Sequence, residues 1–292
     1  MRRWFSARSG IALGLRGLGS LALMLCACAP RMALSQTPLP MQEWQYSQAV
    51  TMQKLFQPDV PEWQFALGAA VVVKPLYDGA SRYRVQAAPV INVRYRDIAF
   101  ASLGEGLGVN ILRGDNYRAG VSIGYDLGRT VSAYSTHLQG LGDIAAAPVV
   151  KLFGAYVVSK AFPLLLRADI RQFVGGAAGW VGDFGAALPL PGSSKTFIMF
   201  AGPSFTFASR LYMQKEFGVS QAQASASGYP VYDAHAGSNA IGLGFSATRF
   251  ITQSWLVNVD AAVDHLLGSA SESPITQHTG QSFVSLAIAY RW

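Results

Sequence analysis

Few side chains in this sequence have the types and spacing needed for catalysis. A serine hydrolase would need a hydroxyl nucleophile, a histidine base and an acid brought together in space, and proximity along the chain does not supply that geometry. Polar residues of a loop are the simpler interpretation, so we predict no catalytic residue. The residues concerned are Ser271, Glu272, Ser273 and His278, with Asp264 and His265 nearby.

Metal and phosphate sites are not indicated either. Glycine stands at every second position from Gly104 to Gly108, but this segment opens no helix and so lacks the setting of a phosphate-binding loop. Both cysteines, Cys26 and Cys28, fall in the N-terminal segment. The sequence predicts neither a metal nor a cofactor, because the histidines lack metal-site spacing; they are His137, His235, His265 and His278.

Charged residues at alternate positions of otherwise apolar segments are the side chains for which we predict a place inside the fold. If the arginines among them line a pore, they would form a basic ladder that selects anions. If the arginines pair with the aspartates, the side chains would fill the interior, and this second arrangement is the one we favour. The ten residues are Arg84, Arg94, Arg96, Arg118, Asp126, Arg167, Asp169, Arg171, Asp260 and Asp264.

The composition restricts the class of protein. Hydrophobic residues make up 51% of the 292 residues and charged residues only 13%, against about 25% charged in an average soluble domain. This excludes intrinsic disorder and fits poorly with a cytosolic enzyme. The net charge of +7 arises mainly from five arginines within residues 1–35. The nearly neutral remainder has no electrostatic footprint for nucleic acid.

The N-terminal segment predicts export. Residues 1–35 have the parts of a secretory signal peptide, which are a basic start, an apolar stretch and small residues before a cleavage point after Ser35. Lipidation at Cys28 is the alternative. Residues 36–62 contain four prolines among glutamines and serines, and we predict that they form a periplasmic lead-in.

From Trp63 to the last residue, apolar side chains recur at every second position, which is the pattern of β-strands. Most of these runs exceed ten residues, and a tilted strand needs about 9–11 to cross a bilayer. An apolar face toward lipid, with Gly, Ser, Arg and Asp toward the interior, describes a membrane barrel. We therefore predict an all-β fold, an antiparallel transmembrane β-barrel over residues 63–292.

Eleven segments have this pattern, one of them a weaker segment near residues 98–112, and bacterial barrels normally have an even number of strands. The long connections 129–145, 209–237 and 267–280 fall on one side, and the short ones fall on the other. This order places residues 74–82 on the periplasmic side and requires one more strand before Trp63. Twelve strands are predicted, with ten as the nearest alternative.

The last segment alternates without a break and ends on an aromatic residue. Such an ending resembles the signature by which outer-membrane barrels are recognised for insertion. It predicts the barrel-assembly machinery and outer-membrane lipid as partners. The residues of this signal are Val284, Leu286, Ile288, Tyr290 and Trp292.

Several short motifs follow one another along the chain. They are Gly68 followed by Pro75 to Ser81, Gly128-Arg129 after Tyr125-Asp126, Gly140 to Ile144, Phe217 to Ala222, Leu266 to Ile275, and Tyr290 to Trp292. In this order they resemble the MltA-interacting protein (MipA)/OmpV family of Gram-negative outer-membrane barrels. Two residues depart from the commoner family pattern, Ala80 in place of Ser and Trp292 in place of Phe.

The resemblance implies a non-enzymatic scaffold in the outer membrane. The namesake of the family brings a periplasmic lytic transglycosylase near a peptidoglycan synthase, and the family has no established catalytic residues to carry over. We expect docking of such enzymes through the inner turns and residues 36–62. A narrow solute channel and an outer-membrane hydrolase are the alternatives.

Overall fold

The structure, a computed structural model, describes residues 61–131, 136–159 and 161–292. The signal peptide at 1–35, the alternative lipidation site at Cys28 and nearly all of the lead-in at 36–62 lie outside the described residues, so these stay predictions. No helix in the described part of the chain is long and apolar enough to cross a membrane.

Twelve β-strands and three short α-helices account for most of the regular structure in the described residues. Helices α1 (Arg210–Phe217) and α2 (Gln221–Ser227) lie between β9 and β10, and α3 (Gly268–Glu272) lies between β11 and β12. The strands are β1 (Trp63–Pro75), β2 (Tyr83–Tyr95), β3 (Ala99–Ser102), β4 (Gly106–Arg113), β5 (Tyr117–Asp126), β6 (Ala147–Val157), β7 (Leu165–Phe173), β8 (Trp180–Pro189), β9 (Phe197–Ala208), β10 (Gly237–Phe250), β11 (Trp255–Leu266) and β12 (Gly280–Arg291).

The strands form a closed antiparallel barrel in which each strand pairs with its neighbours in sequence and β1 pairs with β12. The closing pair runs from Ala66 opposite Arg291 to Val73 opposite Val284. Closure gives the backbone polar groups partners that hydrocarbon cannot provide. The predicted antiparallel barrel of twelve strands is confirmed.

Burial alternates along the strands with a period of two, which indicates different surroundings on the two faces of the wall. In β7, every second residue of Leu165–Phe173 is buried and the residues between them are exposed. The exposed positions include Leu166 and Ile170, whereas the buried ones include Arg167 and Asp169. Apolar side chains outside and charges inside are the arrangement of a barrel surrounded by lipid.

The twelfth strand does not come from the place that the sequence predicted. Residues 98–112 were expected to form one strand, but they fold into the short hairpin β3–β4 with a turn at residues 103–105. Gly106 has φ +79°, a left-handed conformation that glycine adopts without steric cost. No strand before Trp63 is needed, because β1 already pairs on both sides.

The extra hairpin also corrects the side on which the β1–β2 connection lies. The sequence placed residues 74–82 with the short turns, but counting β3 and β4 separately moves this connection to the side of the long loops. There the N–H groups of Gln277 and His278 donate to the carbonyl oxygen of Gly79 at 2.8 and 3.1 Å. We call this side of the barrel the loop end and the opposite side the turn end.

The long connections pack together at the loop end, and we call them the cap. Tyr77, Leu138 and Ile275 come from three different connections and share one buried cluster. In a second cluster, Met213 and Phe217 of α1 pack with side chains from the ends of several strands. Because these strand residues point inward, α1 sits within the mouth of the barrel and closes it.

Candidate functional site in the barrel interior

A set of charged side chains, which we call the charged wall, is buried along one part of the interior. Interior positions in membrane barrels are commonly polar, but buried charges are stable only when they are paired. The members belong to β2 and β5 to β8, and one comes from the β3–β4 turn. They are Arg94, Glu105, Arg118, Lys151, Arg167, Asp169, Arg171 and Asp183.

Glu105, in the turn of the β3–β4 hairpin, joins the strands on either side of that hairpin. Its carboxylate accepts hydrogen bonds from Arg94 on β2 and, at 3.1 Å, from Nη2 of Arg118 on β5. The two guanidinium groups also lie over the rings of Phe100 and Phe153, each 5.5 Å from the ring centroid. We call Arg94, Glu105 and Arg118 the Glu105 triad.

A second network lies on the neighbouring strands. Asp169 accepts from Arg167 at 2.5 Å and lies 3.5 Å from Nε of Arg171. Arg171 also pairs with Asp183, and the Asp183 carboxylate accepts a hydrogen bond from the Thr206 hydroxyl at 2.6 Å. Each carboxylate therefore has more than one partner, as a buried charge requires.

Nine of the ten charged residues predicted for the interior occupy inward-facing strand positions. Asp126 accepts a hydrogen bond from the N–H of Gly128 at 2.7 Å, and Asp260 accepts one from the Ser285 hydroxyl at 3.2 Å. The nine residues are Arg84, Arg94, Arg118, Asp126, Arg167, Asp169, Arg171, Asp260 and Asp264.

Arg96 does not belong to the interior, and this part of the prediction is wrong. It lies in the turn after β2, with φ +48°. Its side chain is 55% exposed and pairs with Glu62 at 2.8 Å. The alternating pattern continues through Arg96 in the sequence, but the strand ends one residue earlier, at Tyr95.

Two acidic residues of the charged wall were missed from the sequence. Glu105 stands between Gly104 and Gly106 in a turn, where alternation assigns no face. Asp183 lies in β8, which has a weak apolar pattern. The sequence did contain one indication of these two acids. The arginines predicted for the interior outnumbered the aspartates, so pairing them all required further buried acids.

A different surface, which we call the apolar wall, lies on β1 and β2. It consists of the inward-facing residues Ala70, Val72, Ala88 and Val90, all of them partly exposed. Val72 packs against a small cluster on β11 and β12. Charged residues face the interior on the same two strands, Lys74 on β1 and Arg84 on β2. The filled interior that the sequence favoured stays a prediction.

Two serines near the C-terminus have structural contacts. The Ser271 hydroxyl donates to the carbonyl oxygen of Gly268 at 2.7 Å, and the Ser273 hydroxyl donates to that of Phe217 at 2.6 Å. Both hydroxyls thus stabilise backbone groups, Ser271 within its own helix and Ser273 on α1. Across residues 61–131, 136–159 and 161–292, no group of His, Cys, Asp and Glu is placed to hold a metal ion.

The cap contains two carboxyl groups that change charge near neutral pH. Glu216 on α1 lies 3.3 Å from Nη1 of Arg129, yet burial raises the pKa of Glu216 to about 7. Burial also raises the pKa of Asp78 to about 6, against the attraction of Lys74 and Arg129. Burial in the cap therefore favours the neutral, protonated forms of Glu216 and Asp78.

Comparison with known proteins identifies one family. The family described as MltA-interacting protein MipA matches residues 67–292. A search of curated proteins found no match.

Several solved structures are similar to this chain. The CymD monoaromatic hydrocarbon channel has 9% identity over 85% of this chain and 92% of that one, with a TM-score of 0.41. The translocator domain of autotransporter NalP from Neisseria meningitidis has 11% identity over 86% and 96%, with a TM-score of 0.43. OmpT of Vibrio cholerae has 9% identity over 79% and 97%, with a TM-score of 0.34.

The Glu105 triad predicts a large loss of stability when its acid is removed. Glu105→Ala leaves two buried guanidinium groups without that carboxylate, which should lower the free energy of unfolding by about 3–5 kcal/mol. The matched control, Glu62→Ala, removes the acid of the exposed Arg96 pair and should cost under about 1 kcal/mol. Urea unfolding in lipid vesicles, followed by tryptophan fluorescence, measures both. Equal effects of the two variants would contradict the role of the triad.

The raised pKa values of the cap predict that it opens more readily as the pH rises. Because the folded cap holds protons that the opened cap releases, stability present below the ordinary pKa of 4.5 is lost as the pH rises past the folded pKa of about 7. Hydrogen exchange of the α1 amides, corrected for its intrinsic pH dependence, should show greater protection at pH 5 than at pH 8. Glu216→Gln should reduce this dependence, and the exposed Glu272→Gln should leave it unchanged. A dependence that survives Glu216→Gln in full would refute the assignment.

Proposed function

Because the chain belongs to the MltA-interacting protein MipA family, we propose that it is a non-enzymatic barrel of the Gram-negative outer membrane that docks a murein-remodelling enzyme on its periplasmic face. A periplasmic lytic transglycosylase, together with a peptidoglycan synthase, is the expected partner. The predicted signal peptide at 1–35 would deliver the chain to the periplasm. The outward residues of β12 would then serve as its barrel-assembly signal.

The observation that carries this proposal is the contrast between the two ends of the barrel. The loop end is closed by the packed cap, which would obstruct direct passage of solutes. The turn end presents exposed apolar side chains on short connections, namely Phe162 between β6 and β7 and Ile251 between β10 and β11. Exposed apolar groups next to charged ones, such as the Arg96–Glu62 pair, are typical of protein contact surfaces.

The absence of an enzymatic role is part of the same proposal. The hydroxyls of Ser271 and Ser273 are engaged with backbone carbonyl oxygens, which favours a structural explanation for the segment once considered for a hydrolase. The buried acids of the charged wall, Glu105, Asp169 and Asp183, are each paired with arginine. They are therefore better suited to stabilising the barrel than to proton transfer.

If the enzyme docks at the turn end, charged substitutions there should reduce its capture, and matched substitutions on the cap should not. Phe162→Asp with Ile251→Asp should reduce capture of a periplasmic lytic transglycosylase by about tenfold, because truncating or charging an interface anchor commonly costs more than 1 kcal/mol. The control, Val231→Asp with Leu211→Asp, changes equally exposed apolar residues of the cap and should leave capture unchanged. Chemical crosslinking in intact cells, followed by purification of the barrel, is the measurement.

The same capture experiment also tests the predicted lead-in, residues 36–62, as the docking segment. If capture depends on residues 36–62 alone, their deletion abolishes it and the turn-end variant has no effect, which would assign docking to that segment. Loss of capture in the cap variant but not in the turn-end variant would refute docking from the periplasmic side.

A narrow channel is the second candidate, and the partial exposure of inward-facing residues of the apolar wall favours it. Closure by the cap predicts low ion conductance in planar bilayers. Phe217→Asp places a charge in the buried core of the cap and should raise conductance severalfold, whereas Leu211→Asp on the exposed face of the same helix should not. Conductance that stays absent even in Phe217→Asp would remove the channel candidate without affecting the docking proposal.

A further inference from the structure

A groove lies on the outer, lipid-facing surface of the barrel and crosses strands β5 to β9. Its volume is about 720 Å³, and most of the residues that line it occupy outward strand positions. On β7, the outward Leu166 and Ala168 line the groove, whereas the inward Asp169 beside them is buried. Neighbouring side chains in a strand point to opposite faces, so the groove opens toward lipid. We call it the wall groove.

The floor of the wall groove consists of small residues on four neighbouring strands. Ala119 on β5 lies opposite Gly154 on β6, and Gly154 lies opposite Ala168 on β7. Ala186 continues the floor on β8, two residues beyond the partner of Ala168. At a strand spacing of about 4.8 Å, these positions extend over about 14 Å. This length is close to the depth of one leaflet, since the whole hydrocarbon core is about 30 Å thick.

Rows of larger side chains border this floor on both sides. The two rows stand four residues apart along each strand, which is a backbone separation of about 13 Å. On β8 the partner of Ala168 is Phe184, whose exposed ring closes that end of the row. A narrow space with walls on three sides results. The row nearer the turn end contains Tyr117, Tyr156 and Leu166, and the row nearer the loop end contains Val121, Leu152 and Ile170.

The wall groove is continuous with the lipid-facing surface around it, so its occupant comes from the membrane. Moving a hydrocarbon chain from the bilayer into the groove gives no hydrophobic gain, because lipid tails are as apolar as the groove itself. The gain comes from dispersion, since a chain in the groove contacts protein atoms on several sides. An unbranched acyl chain has the narrow, extended shape that uses these contacts.

Two phenol hydroxyls mark the turn-end side of the wall groove. Tyr117 is the first residue of β5, and it lies opposite Tyr156 near the end of β6. Both rings point outward and are almost half exposed. Tyrosine at the edge of a membrane sits at the level of the lipid headgroups. Short turns face the periplasm in bacterial barrels, so this edge belongs to the periplasmic leaflet.

We propose that the wall groove binds one acyl chain of a phospholipid from the periplasmic leaflet, with the hydroxyls of Tyr117 and Tyr156 donating to oxygens of its headgroup region. The bound lipid covers the outside of β5 to β8, the strands whose inward residues form most of the charged wall. The site is separate from docking at the turn end, and it needs no opening of the cap.

The test measures where a lipid chain contacts the outer surface. The full chain is reconstituted in vesicles of phosphatidylethanolamine and phosphatidylglycerol with a trace of phosphatidylethanolamine that carries a diazirine in one acyl chain. After illumination, mass spectrometry gives the yield of label per exposed residue on β5 to β8 and on β11 and β12. We expect the ratio of the two yields to be about five, which corresponds to about 1 kcal/mol of preference.

Filling the wall groove should remove this preference. Ala119→Phe with Ala168→Phe places two rings on the floor, at outward strand positions that tolerate aromatic residues, and should bring the two yields close to each other. The matched control, Ala69→Phe with Ala87→Phe, places the same rings at exposed outward positions of β1 and β2. It should leave the ratio unchanged.

Removing the two hydroxyls tests the contact with the headgroup region. Tyr117→Phe with Tyr156→Phe keeps both rings, so it should lower the ratio by less than filling the floor does. An unchanged ratio in this variant would overturn the role given to the hydroxyls.

Two further results would overturn the binding of a lipid chain. One is a ratio that is the same in the filled and control variants. The other is weaker labelling of the wall groove than of β11 and β12 in the unaltered protein, as expected if a second copy of the chain covers it. Neither result bears on enzyme capture at the turn end, so the two proposals can fail separately.

Discussion

The rest of this structure depends on one constraint, which is that a backbone N–H or C=O in hydrocarbon must find its partner within protein. Each unpaired group costs several kcal/mol in lipid (about 4–8 by transfer to an alkane). An open sheet of these twelve strands would leave two edges in the bilayer, and pairing β1 with β12 removes them. The alternation of apolar and polar residues then follows, because a closed wall has one face toward lipid and one toward the interior.

The same constraint governs the charges that closure places inside. A charge enclosed by the barrel has lost much of its water and is stable only with partners. The charged wall meets this requirement through groups from different strands, so its ion pairs also fix neighbouring strands side by side. Glu105 is the clearest case, since a turn residue links β2 and β5. That link ties the shortest hairpin of the barrel to the long strands on both sides of it.

Structural features that rest on a repeating sequence pattern could be predicted from the sequence, whereas features that occur at a single place could not. The long strands, the closed barrel and nine of the ten interior charges follow from a period of two sustained over ten or more residues. Strand β3 is only four residues long, which is too short for a period to be recognised, so its hairpin was read as one strand. The missing strand was then placed before Trp63, and the β1–β2 connection was assigned to the wrong end.

The cap and two acids of the charged wall, Glu105 and Asp183, were unpredictable for a related reason. Helix α1 is stabilised by burial of Met213 and Phe217 against strand ends far away in sequence, and its eight residues carry little signal of their own. Glu105 likewise acquires its role only when two strands bring Arg94 and Arg118 to it. Such contacts depend on the register of the whole barrel, which no local pattern contains.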